Sequence, residues 1–88
     1  MPHPAIVAKY DRAARGLRAA WRAGTTEWLR ENAVGKLLDI EVKQGLLDET
    51  WKRAEVSACT EAEFDAALES WRAACAVAIE EFAKSEER

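Results

Sequence analysis

Residues 60–84, TEAEFDAALESWRAACAVAIEEFAK, decide how the chain reads. Thr60 followed three residues later by Glu63 is a capping box: the threonine hydroxyl accepts from a free backbone N–H of the first turn, and the glutamate reaches back to the cap. Beyond it, Phe64, Leu68, Trp71, Cys75, Ala78 and Phe82 recur in alternating steps of four and three. That spacing places all six on one side of a helix, as in the seam of a helical bundle. A helix over 61–84 follows.

The segments before it carry the same helical period. Leu47, Trp51, Ala54 and Ala58 share a face, which predicts a short helix over 48–58. Gly45 is placed to end the helix before that one, predicted over 26–44, with Thr25 or Thr26 as its cap and Glu27 near its positive end. Its main stripe is Leu29, Ala33, Leu37 and Ile40, extended by Val34 and Leu38. Trp28 and Val42 fall on roughly the opposite side. This helix is therefore apolar on more than one face. It is either central or offers a second contact surface.

A first helix over 4–23 opens on Pro4, whose missing N–H costs nothing there. Ile6, Tyr10, Ala13, Leu17 and Trp21 form its inner face. Gly24 is suited to close it through a positive φ. No alternating run of β-branched residues suggests a strand. The expectation is an all-α fold, one domain over 1–88: a small antiparallel bundle of three long helices plus one short helix. Short connections favour antiparallel neighbours.

The 88 residues are 49% hydrophobic, enough for one core and too few for two. Charge is unevenly spread. Residues 1–24 hold five basic side chains and one acid, a net +4, and the remainder is net −7. Arg12, Arg15, Arg18 and Arg22 line one side of the first helix over about 15 Å. Such a stripe can follow a phosphate backbone. It can equally dock on the acids of the last helix, among them Glu61, Glu63, Asp65, Glu69, Glu80 and Glu81. The chain as a whole is acidic, with a sequence pI near 5.2, whereas dedicated nucleic-acid domains are usually basic.

Residues for chemistry are sparse. The single histidine, His3, lies near the chain's start, where a group is poorly held for general acid–base work. No Ser-His-Asp or Cys-His set can be assembled without it. No Glu-x-x-His motif of a di-iron bundle is present, and the four glycines are too dispersed to cradle a phosphate. Cys75 lies on the core seam and reads as an inert structural thiol. Cys59, beside the capping Thr60, sits where a helix start can lower a thiol pKa, although a plain loop cysteine is the simpler reading. The two cysteines fit no metal or redox spacing. No catalytic, cofactor or metal residues are assigned.

Met1-Pro2-His3-Pro4 lacks the charged and apolar regions of a secretory signal, and no stretch approaches the length of a membrane span. A cytoplasmic location is the expectation. With no catalytic set, the reading is a non-enzymatic protein–protein interaction module: a small adaptor, inhibitor or accessory subunit of a larger protein or complex. The candidate contact residues are Arg12, Arg15, Arg18, Arg22, Trp28 and Val42. The alternatives are nucleic-acid binding through the basic face of the first helix, and a homo-oligomeric helical assembly.

Overall fold

The computed structural model describes residues 3–56 and 58–87. Met1 and Pro2 of the N-terminal motif, Ser57 in the segment read as a short helix, and Arg88 lie outside the described residues. Four helices follow one another: α1 (Pro4–Ala20), α2 (Thr25–Asn32), α3 (Val34–Glu55) and α4 (Glu61–Glu86). There is no strand among the described residues. The fold is all-α, with three long helices and a short one.

The short helix is not the one the sequence predicts. Gly45 does not end a helix: α3 runs through it without interruption. The break falls instead at Ala33, whose φ of −151° and ψ of 54° are not helical. The predicted helices over 26–44 and 48–58 are thus recut into α2 and α3. Tertiary burial sets the break. Folded back as a separate helix, α2 buries Leu29 and Thr25 and lays Trp28 on Phe82, with ring centroids 5.8 Å apart. That packing closes over the C-terminal end of α4.

α1 also stops earlier than the predicted residue 23. Trp21 is extended, its backbone N–H donates to the Leu17 carbonyl, and its indole N–H donates to Thr26 Oγ1 at 3.1 Å. Gly24 then takes a φ of +89°, a conformation costly for any residue with a Cβ. A Cβ there would lie 3.7 Å from the Phe82 ring. At the other end, Ala5 N–H donates to His3 Nδ1 at 3.1 Å, so the lone histidine caps α1.

α4 is the axis on which the rest is laid. Thr60 Oγ1 accepts from Glu63 N–H at 3.1 Å, forming the cap the sequence calls for. The seam residues Phe64, Leu68, Trp71, Cys75 and Ala78 are buried. Antiparallel order holds for α3 and α4, with Trp51 against Phe64 and Arg53 near Glu63. α1 and α4 are not consecutive and run in the same direction: Lys9 reaches Glu61 and Asp65, and Arg22 reaches Glu86. α1 meets α3 through side chains. Tyr10 lies 5.1 Å from Trp51 and stacks on Trp71 at 6.5 Å, filling the space between the two helices.

Candidate interaction surfaces

The face that α3 turns inward carries Leu47, Thr50 and Ala54, all buried, with Ile40 and Trp51 packed beside them. At 100° per residue this leaves an opposite face for Val34, Leu38 and Val42, with Leu46 and the glycines Gly35 and Gly45 along it. That face is open. Val34, Leu38 and Leu46 are each 53% exposed and Val42 is 61% exposed. They step by four residues and so form one continuous ridge over three turns. A lone exposed aliphatic residue is ordinary; here four lie in contiguous order along one face of a helix.

Of the residues named from sequence, Val42 lies on this ridge and Trp28 does not share it. Trp28 belongs to α2 and is half-buried against Phe82. Leu38 and Val34 are the ridge members that sequence reasoning placed in the core stripe. At 100° per residue Val34 and Leu38 fall about 140° and 180° from Leu29 and equally far from Leu47, so either anchor turns them outward; the core stripe read from the sequence is drawn too wide.

The basic side chains on α1 and just past its end divide in two. Lys9 and Arg22 are used within the fold. Lys9 Nζ bridges Glu61 and Asp65, and both carboxylates raise its pKa above the ordinary lysine value. Arg22 donates to Glu86 at 2.9 Å and lies over the Phe82 ring. Part of the basic helix is therefore docked on its own acidic partner. Arg12, Arg15 and Arg18 are exposed and make no ion pair among the described residues. Arg12 edges an open groove between α1 and α4. Gly16, Ala20 and Ala76 line the groove, and Glu69 and Arg72 stand on the α4 side.

Neither thiol is activated. Burial pushes the Cys75 pKa up. Cys59 is raised as well, first by desolvation and then by the Glu63 carboxylate, against a smaller opposing pull from Arg53. The lowered pKa considered for Cys59 is not found, because desolvation, with Glu63 second, pushes the thiol up. Both groups are neutral thiols at pH 7, and both are free. We expect native protein at pH 7.5 to react with an aromatic disulfide reagent more slowly at Cys59 than a free thiol does. Cys75 is expected to react only on unfolding. Labelling of Cys75 at the rate of Cys59 would contradict its burial.

Among the described residues no group of three or more His, Cys, Asp or Glu is gathered as for a metal ion, and no buried side-chain polar atom lacks a hydrogen-bond partner. No helix among them is long and apolar enough to cross a membrane. Comparison with known protein families, with curated proteins and with solved structures returned no match.

Proposed function

We propose that this chain is a non-enzymatic binding module that attaches to another protein through the outward face of α3, and that the occupant is an amphipathic helix. The observation that carries the reading is the exposed ridge Val34, Leu38, Val42 and Leu46 on a helix whose other face is already committed to the core. Fully burying one such side chain is worth about 1.5–3 kcal/mol. Four half-exposed ones offer several kcal/mol before the costs of association are met. A ridge spaced by four suits the groove of a second helix, which is the commonest way helices pack. The reducing cytoplasm suits two free thiols.

The test is a paired capture experiment. Tagged wild-type chain and the double variant Leu38→Glu/Val42→Glu are incubated with host extract and with untagged chain. Both substitutions fall on exposed positions, so circular dichroism and Tm should change little. Expected is a protein retained by the wild type and lost by the variant. Equal retention by the two, or none by either, would sink the reading.

The second reading is binding of an anionic polymer by α1, favoured by the three arginines Arg12, Arg15 and Arg18 that make no ion pair among the described residues. A labelled nucleic-acid duplex at low salt is its probe. Affinity should fall steeply as salt rises, and absence of binding at low salt removes it.

A further inference from the structure

We propose that the groove between α1 and α4 binds a medium-chain fatty acid, its carboxylate on Arg12 and its tail running toward the C-terminal ends of the two helices. This site is separate from the α3 ridge and does not depend on it. α1 and α4 lie side by side in the same direction, clasped by Lys9 and Asp65 at one end and by Arg22 and Glu86 at the other. Between the clasps they leave an open groove of about 790 Å³. Small-molecule sites occupy roughly 300–1,000 Å³. A Cβ added to Gly16 would meet nothing within 4 Å, so the space reaches down to the backbone of α1.

The groove is divided along its length. Lys9, Arg12, Asp65, Glu69 and Arg72 make one end polar. Gly16, Leu17, Ala20, Ala76 and Ile79 make the other end apolar. Ile79 is half-buried yet lies outside the core cluster, so the groove is where its side chain is offered. Because the two helices are parallel, the polar-to-apolar order is the same on both walls. Arg12 to Ala20 spans about 12 Å, and Arg72 to Ile79 about 10 Å, at 1.5 Å per residue. A ligand with a charged head and an apolar tail of that length matches this layout.

Charge names the head. Asp65 holds Lys9 at 3.0 Å, Glu69 holds Arg72 at 3.3 Å, and Glu80 at the far end holds Lys84 at 3.2 Å. Of the charged groups that line the groove, Arg12 alone makes no ion pair among the described residues. One negative charge on the ligand completes the set. A guanidinium takes a carboxylate through two parallel hydrogen bonds. A dianionic phosphate would add a second charge beside Asp65 and Glu69, where it is repelled.

The rims also select a slim occupant. A protein helix is about 10–12 Å across with its side chains. Seated here, it would cover the charged rims and strip them of water, which is costly for each ion. A single acyl tail passes between the rims and leaves their charges wet.

The experiment titrates purified full chain with decanoate, kept below its micelle concentration, by calorimetry and by amide chemical shifts. Saturable one-to-one binding is expected, with a Kd of about 10 μM to 1 mM. The shifts should centre on Gly16, Ala20, Ala76 and Ile79. Decanol should bind about five- to tenfold more weakly than decanoate, and Arg12→Gln should abolish that difference. Gly16→Leu should block the tail while keeping or raising Tm, since leucine is the better helix former and its Cβ meets no neighbour. Ala76→Leu fills the groove from the opposite wall and should block it too. Absence of saturable binding at millimolar decanoate would overturn the proposal. So would binding that both filled variants retain, or shifts gathered on the α3 ridge. Decanol binding as tightly as decanoate, with Arg12→Gln indifferent to both, would overturn the assignment of the head.

Discussion

Alanine at position 47 is expected to lower stability by about 3–5 kcal/mol, while alanine at position 46 changes it by less than about 0.5 kcal/mol. The two leucines are neighbours of identical chemistry. Leu47 is fully buried, on the face that α3 turns to the core with Thr50 and Ala54. Removing its side chain beyond Cβ loses transfer energy and leaves a cavity that packed helices close only in part. Leu46 is more than half exposed, and its backbone carbonyl, which accepts from Thr50 Oγ1 at 2.8 Å, survives the substitution. For a domain of this size each kcal/mol moves Tm by about 4–8 °C. Leu47→Ala should therefore melt at least ~12 °C lower than wild type, and Leu46→Ala within a few degrees of it. Urea melts of the two variants decide the matter. Equal losses would place both faces of α3 in the core, and the outward ridge would not exist.

That contrast also marks where the sequence stops being legible. α4 could be read in full, because its signals are local: a hydroxyl at Thr60, a glutamate at Glu63, and a seam that keeps one phase to Phe82. α1 could be read from Pro4 and from its stripe of Ile6, Tyr10 and Leu17. The middle of the chain misleads because local preference and tertiary packing disagree there. Gly45 looks like a terminator, yet a mid-helix glycine costs only about 1 kcal/mol. Packing of Leu47, Thr50 and Ala54 on α4 outweighs that cost. Ala33 is the best helix former of the region by propensity, yet it takes the break. No residue type signals this, since the break serves contacts between Trp28, Leu29 and the far end of α4.

The candidate surface inherits this difficulty. The sequence makes the second helix apolar on more than one face, and Val42 is exposed on the side away from the core. Val34 and Leu38 lie within about 80° of Val42 on the same wheel, so its neighbours are legible once the core stripe is kept narrow. Trp28 was drawn into the same patch because a single uninterrupted helix would put the two on one side. The arginines illustrate the reverse case. Their periodic spacing is plain, but which basic side chains the fold consumes depends on α1 lying parallel to α4, with Lys9 paired at one end and Arg22, just past α1, at the other. Only side-chain geometry separates these two from Arg12, Arg15 and Arg18.

Phe64→Ala carries the second large effect, a loss of about 3–5 kcal/mol. Phe64 is fully buried in the first turn of α4, and its ring lies 6.0 Å from Trp51. Trp51 in turn holds Tyr10, which stacks on Trp71, so one ring supports the only aromatic chain among the described residues that ties α1 to α3. A domain of this length has a total stability of about 4–13 kcal/mol, so the truncation removes a large share of it. α1 should suffer most, because its contact with α3 is made by side chains and not by closely packed backbones. Near-ultraviolet dichroism of the tryptophans is expected to weaken before the far-ultraviolet helical signal does, and hydrogen exchange should rise in α1 ahead of α4. A Phe64→Leu variant separates volume from aromatic packing. If it restores Tm but leaves α1 exchanging quickly, the ring contacts hold α1 in place. If it restores both, apolar volume at position 64 suffices.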